Sequence, residues 1–127
     1  MFSLKGDVVL DPYLGTGTTM AAAVIAERNS IGLEIDKKFA NVIVNKIKDV
    51  PQNYNGAAKK RLEKHLKFVQ ERQEEKGVSV FKYTNKNYKL PVMTRQETEI
   101  FFREPTKVNQ KKEANTFEVE YKEFRIK

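Results

Sequence analysis

Apolar positions in this chain of 127 residues come in two registers. Val8-Val9-Leu10 and Ser30-Ile31-Gly32-Leu33-Glu34-Ile35-Asp36 are short and β-branched, as in strands of a parallel sheet. The first reads as a central strand buried on both faces. Between them Met20 to Arg28 is alanine-rich and predicts a helix, with Thr18 or Thr19 as its cap. After Asp36, which is placed to cap, a second helix is predicted from Lys37 to about Asp49, with Phe39, Val42, Ile43, Lys46 and Ile47 at helical spacing. A third helix is predicted over Ala57–Arg72, with Ala58, Leu62, Leu66 and Val69 as its apolar stripe and Gly77 as its stop. Val78–Phe81 and Phe117–Tyr121 alternate apolar with polar in the manner of half-buried strands, and residues 109–115 read as an exposed loop.

Strand, loop, helix, strand and helix make a Rossmann-like unit, and its loop carries Asp11-Pro12-Tyr13-Leu14-Gly15-Thr16-Gly17-Thr18-Thr19. Gly15 and Gly17 permit backbone conformations that bring main-chain N–H groups close to a ligand. Glu34 stands 17 residues beyond Gly17. That is close to the spacing of about 20 at which an acid on the second strand accepts hydrogen bonds from ribose hydroxyls. The pattern points to an adenosine-containing ligand. A phosphate-cradling loop would need lysine where Thr18 stands, and a dinucleotide loop would want glycine where Met20 stands.

The stretch GDVVLDPYLGTGTTMAAAVIAERNSIGLEID resembles the S-adenosylmethionine-binding segment of the DNA amino-methyltransferases that modify N6 of adenine or N4 of cytosine. That family carries Asp-Pro-Phe-x-Gly-x-Gly-Thr-Thr and, one helix later, Gly-x-Glu. Here Tyr13 replaces the phenylalanine. The resemblance implies a cofactor site of Asp11, Pro12, Tyr13, Gly15, Thr16, Gly17, Thr18, Thr19, Glu34 and Asp36. Asp11 and the backbone of Gly15 and Gly17 would hold the methionine part, and Glu34 the ribose. NYKLPVMTRQETEI is also similar to the carboxy-terminal extension of some members.

The family's catalytic Pro-Pro-aromatic motif is absent, since the four prolines follow Asp11, Val50, Leu90 and Glu104. The expected fold is therefore α/β: a partial Rossmann-like methyltransferase sheet in residues 1–56, with a basic α+β extension in 57–127. The expected function is the cofactor-binding, carboxy-terminal portion of a site-specific DNA methyltransferase, without methyl transfer by the chain alone. A truncated remnant acting as a DNA-binding or assembly module, and a nicotinamide oxidoreductase fragment, are the alternatives. Such a sheet fragment leaves the first strand with an open edge. A second polypeptide with the catalytic motif, or strand exchange with another copy, is then expected to cover it.

Charge sharpens the division. Residues 1–56 hold six basic and six acidic side chains, so the whole net charge of +7 lies in 57–127. That half suits DNA, or is a solvated lysine-rich face. Its Phe81, Tyr83 and Tyr88 interleave with Lys82, Lys86 and Lys89, either to stack on bases or as the inner face of a sheet. His65, flanked by lysines, reads as a surface residue. No cysteine is present, and neither a signal peptide nor a membrane span is recognisable, so the cytoplasm is the expected location.

Overall fold

The computed structural model describes residues 3–54, 56–112 and 115–126. Strands and helices are mixed, in the order β1 (Val8–Asp11), α1 (Thr18–Ile25), β2 (Asn29–Gly32), α2 (Ala40–Lys48), α3 (Val50–Asn53), α4 (Ala57–Lys76), β3 (Tyr83–Thr84), β4 (Pro91–Val92), β5 (Arg103–Gln110) and β6 (Phe117–Glu123). Among the described residues three two-stranded sheets result, β1–β2, β3–β4 and β5–β6. The chain groups into two compact units. Unit one holds residues 1–55 and 104–122, and unit two holds 56–103 and 123–127.

In unit one, β1 and β2 are parallel, with Val8 opposite Asn29 and Asp11 opposite Gly32, and α1 is the crossover between them. The core gathers Leu14, Ala21, Val24, Ile43, Ile47 and Val50, with Met20, Phe39, Val108, Phe117 and Val119 packed against it. Tyr121 of β6 donates its hydroxyl to the Val24 carbonyl at 2.8 Å, which ties a strand near residue 120 to the end of α1. The expectation that β1 is buried on both faces is corrected. Val8 and Leu10 are each 61% exposed and Ile31 is 56% exposed, because among the described residues only β2 pairs with β1 and one face of this pair is bare.

The first helix is shorter than its alanines suggest. It stops at Ile25, where Glu27 adopts φ 55° and the amides of Glu27 and Arg28 bond back to the carbonyls of Val24 and Ala23. This reversed pair of bonds is a left-handed helix stop, built here without glycine. Arg28, expected inside the helix, leaves it and donates to the Ser3 hydroxyl and carbonyl and to the Ala26 carbonyl at 2.6–2.7 Å. The second strand likewise ends at Gly32, earlier than Asp36. Asp36 acts as a cap, its Oδ1 accepting from the Lys38 amide at 2.9 Å at the head of a 3-10 turn, Lys37–Phe39, that runs into α2.

Gly32 is fixed by packing. A Cβ at this position would lie 2.5 Å from Leu14 Cδ2, and Leu14 is itself buried. Displacing a packed leucine costs about 1–3 kcal/mol. Gly32→Ala is therefore expected to lower the free energy of unfolding measured in urea by that amount, while Gly15→Ala, with nothing within 4 Å of its added carbon, bears only the strain of its φ of 55°.

Unit two is organised around α4, which ends at Gly77 as expected and carries the exposed pairs Lys59–Glu63 and Lys67–Glu71 and the half-buried Arg72 paired with Glu75. Ala58, Leu62 and Val69 are buried, but Leu66 is 45% exposed and does not belong to the stripe. Its place is taken by His65, which was expected on the surface. His65 is half-buried, and its Nε2–H donates to the Pro91 carbonyl at 2.8 Å. Val78–Val80, read as part of a strand, forms a 3-10 turn after Gly77. The strand expected at Phe117–Tyr121 is present as β6, whereas Asn109 and Gln110, expected in a loop, complete β5. Two residues of that loop, Glu113 and Ala114, lie outside the described residues.

Asn85 is the polar centre of unit two and is 4% exposed. Its Nδ2 donates to the carbonyls of Glu97 and Ile100, and its Oδ1 accepts from the amides of Asn87 and Tyr88, all at 2.7–2.9 Å. Tyr88 is buried too. Its hydroxyl donates to the Phe124 carbonyl and accepts from the Phe102 amide, and its ring stacks on Phe102 at 5.7 Å. Of the interleaved aromatics, Tyr88 thus serves the interior.

Candidate functional site around the glycine loop

The loop from Asp11 to Gly17 leaves β1 and enters α1, and its path is set by main-chain bonds before any side chain acts. Leu33 N donates to the Asp11 carbonyl, Leu14 N to the Leu33 carbonyl, and Gly17 N to the Leu14 carbonyl, at 2.9–3.0 Å. Gly15 and Gly17 take φ 55° and 81°, values that side-chain-bearing residues rarely adopt. Gly17 is buried, and a Cβ there would come within 3.3 Å of Ile43 Cγ2 on α2.

Gly17 is also the N-cap of α1, with no side-chain cap bond, so the expectation that Thr18 or Thr19 caps the helix is corrected. Both threonines are the first residues of the helix itself, which frees their hydroxyls for other partners. Thr19 bonds to Asp11, whose Oδ1 also accepts from the Tyr13 amide at 3.0 Å. These bonds, the Thr19 hydroxyl first, hold the Asp11 carboxyl below the ordinary carboxylate range and keep it charged.

Glu34 and the loop meet across 19 residues of sequence. Glu34 Oε2 accepts from the Gly15 amide at 2.7 Å, and Oε1 accepts from the Asp36 amide at 2.8 Å. One carboxylate thus pins the glycine loop to the segment after β2. Each oxygen keeps a lone pair for a further donor. These bonds join Asp11 to Tyr13 and Thr19, and Gly15 to Glu34 and Asp36, and the main-chain bonds of Leu33 to Asp11 and Leu14 bring the two groups together. Pro12 and Thr16 are exposed beside it, and the Tyr13 side chain is 89% exposed.

One contributor, Lys46, was not among the expected site residues. Lys46 on α2 donates to Thr16 Oγ1 at 2.9 Å and to Thr18 Oγ1 at 3.1 Å, bracing the outer side of the loop. Its signal was its place beside Ile43 and Ile47 on the helix face toward the loop. Leu14, Gly32, Glu34 and Asp36 also line a cleft of about 290 Å³, together with Met20 and Phe117. Among the described residues no group of three or more His, Cys, Asp and Glu could hold a metal ion, and no helix is long and apolar enough to cross a membrane.

Residues 1–46 match the model of a family described as DNA methylase. Over all 127 residues the chain is 41% identical to the type II methyltransferase M.MthZI of Methanothermobacter thermautotrophicus, of which it spans 34%. It is 62% identical to M.MjaI of Methanocaldococcus jannaschii over 47 residues, 37% of this chain and 16% of that protein. To M.HinfI of Haemophilus influenzae it is 43% identical over 53 residues, 42% of this chain and 15% of that protein. No solved structure matches the chain. The shorter matches are about the length of the glycine loop and its two flanking strands and helices, and the longest extends through unit two. The chain is thus similar to DNA methyltransferases, and it spans about a third of the length of the type II member M.MthZI.

Proposed function

We propose that the chain is the S-adenosylmethionine-binding part of a site-specific DNA amino-methyltransferase acting at N6 of adenine or N4 of cytosine. The observation that carries this reading is the Glu34 carboxylate, bonded through one oxygen to the Gly15 amide and through the other to the Asp36 amide. It presents fixed acceptors for two neighbouring hydroxyls, as a ribose requires. Gly15, with open space where a Cβ would stand, lets the loop backbone approach a ligand closely, so the residues present fit the cofactor. The β1–α1–β2 crossover is the first part of a Rossmann-like sheet under this reading.

The cofactor supplies an electrophilic sulfonium methyl group for the target amino nitrogen. This chain's residues bind and orient. Asp11, kept charged by Thr19 and the Tyr13 amide, would face the ammonium of the methionine part, with the Gly15–Gly17 backbone beside it and held in place by the bonds of Gly15 N to Glu34 and of Gly17 N to the Leu14 carbonyl. Pro12, Tyr13, Thr16 and Thr18 line the same loop, Glu34 holds the ribose, and Asp36 fixes the segment that carries Glu34. Orientation of donor and acceptor is the main source of acceleration in such a transfer. The sequence has no Pro-Pro-aromatic motif to receive the base, so the purified chain is expected to transfer no labelled methyl group to DNA. Measurable transfer by the chain alone contradicts this.

Residues 1–56 act as the cofactor half and 57–127 as a basic extension under this reading. The bare face of Val8, Leu10 and Ile31, and the edge of β1 left unpaired among the described residues, support a second polypeptide with the catalytic motif, or a second copy, as partner in the cytoplasm. Light scattering that finds only monomer at high concentration counts against the second copy.

Under this reading Lys46 acts on the loop through the Thr16 and Thr18 hydroxyls. Lys46→Met is expected to weaken S-adenosylmethionine binding by about three- to tenfold, and Lys46→Arg to restore most of it, in calorimetric titrations.

A further inference from the structure

The excess charge follows the compact units more sharply than the halves of the sequence. Unit one contains ten basic and ten acidic residues, whereas unit two contains fourteen basic and seven acidic ones. The whole net charge of +7 is therefore carried by unit two. Within it lies an open cleft of about 600 Å³, lined by Lys86, Lys89, Arg125, Phe101, Phe124 and Glu123, with the buried Tyr88 beneath. Three cations face one carboxylate there. Two of the cations have acidic neighbours, Lys86 with Glu99 and Arg125 with Glu123, but these pairs are exposed and exchangeable.

The cleft also has aromatic walls. Phe101 is 37% exposed and lies under the Arg103 guanidinium at 5.6 Å from the ring centre, and Phe124 is half-buried. Its floor is held by the interior of the unit: Tyr88 donates to the Phe124 carbonyl, and Asn85 fixes the turn that carries Lys86 to Lys89. Lys89 adopts φ 56°, a left-handed conformation at the end of that turn, and its amide bonds to the Asn85 carbonyl. Cations beside partly exposed aromatic rings are the two components that bind a nucleic-acid strand, the first taking phosphates and the second stacking with bases.

We propose that this cleft binds a DNA strand with at least one unstacked base, through phosphates at Lys86, Lys89 and Arg125 and a base against Phe101 or Phe124. The inference rests on the reading of the chain as part of a DNA methyltransferase for the identity of the polyanion. It assigns the contact to residues of unit two, apart from the glycine loop.

The test is fluorescence anisotropy of the full chain with a labelled 20-nucleotide single strand and with the matching duplex, at stepped potassium chloride concentrations. Three phosphate contacts to a single strand predict a slope of about −2 in the logarithm of affinity against the logarithm of salt concentration. Lys86→Glu with Arg125→Glu is expected to weaken single-strand binding at least tenfold and to flatten that slope. Lys64→Glu with Lys67→Glu on α4 changes net charge equally and is expected to weaken it threefold or less. Phe101→Ala is expected to lower single-strand affinity about fivefold or more and to leave duplex affinity unchanged.

Lys86→Gln with Arg125→Gln repeats the test without new negative charge, and circular dichroism reports whether each variant folds. Absence of salt-dependent DNA binding by the unaltered chain overturns the proposal, and so does equal weakening by the α4 and cleft reversals. Titration of the same preparations with S-adenosylmethionine separates the two readings. Retained cofactor binding with no DNA binding overturns this inference alone, and the converse overturns the cofactor reading alone.

Discussion

Glu34→Ala is expected to weaken S-adenosylmethionine binding by roughly ten- to a hundredfold, a loss of about 1.4–2.8 kcal/mol. Two effects add in the same direction. Under the proposed function the carboxylate accepts from the ribose hydroxyls, and hydrogen bonds to a charged group contribute about 1.5–3 kcal/mol each when a partner is otherwise left unpaired. It also holds the loop, since Gly15 N and Asp36 N both donate to it. Without it the loop must be ordered by the ligand, and that ordering lowers apparent affinity. Glu34→Gln keeps one acceptor oxygen and is expected to fall between the two. Calorimetric titration measures both. An unchanged dissociation constant for Glu34→Ala would remove Glu34 from the site.

Asn85→Ala is expected to destabilise unit two by about 3 kcal/mol. The substitution leaves the carbonyls of Glu97 and Ile100 and the amides of Asn87 and Tyr88 without the partner that now joins them. Each buried group so abandoned costs about 1–3 kcal/mol unless water reaches it. The side chain is 4% exposed, and water entry requires opening the turn. Asn85→Asp keeps the acceptor but loses both N–H donors, and at neutral pH it sets a negative charge against two carbonyl oxygens. It is therefore expected to be the worse of the two. Urea unfolding followed by tyrosine fluorescence measures both, and a change below 1 kcal/mol for Asn85→Ala would contradict the assignment of Asn85 as the polar centre.

Local pattern carried the β1–loop–α1–β2 order, the capping role of Asp36 and the Gly77 stop, because each depends on neighbours a few residues away. The differences arise where a partner is distant or a stripe lies one residue off. On α4, positions 58, 62, 65 and 69 follow one line of the 3.6-residue period, and 66 is turned away from it. His65 was therefore legible as an inward-facing residue, although its lysine neighbours suggest a solvated face. The Glu27 stop of α1 was not legible, since the alanine run favours continuation and the reversal rests on Arg28 reaching Ser3. The link from Tyr121 to Val24 spans 97 residues and leaves no periodic trace. In the site, the glycines and carboxylates were legible as types at a spacing. The Gly15–Glu34 bond and the Lys46 brace join residues 19 and 28–30 apart, and they needed the fold to bring them together.

The functional reading stands or falls on whether the Asp11–Thr19 loop and the Glu34–Asp36 segment form one S-adenosylmethionine site. Backbone amide NMR of the full chain, titrated with S-adenosylmethionine, decides it residue by residue. Saturable shifts concentrated at Tyr13, Gly15 to Thr19 and Glu34 to Asp36 are expected. Their absence at millimolar ligand, or saturable shifts confined to residues 56–103, would overturn the assignment.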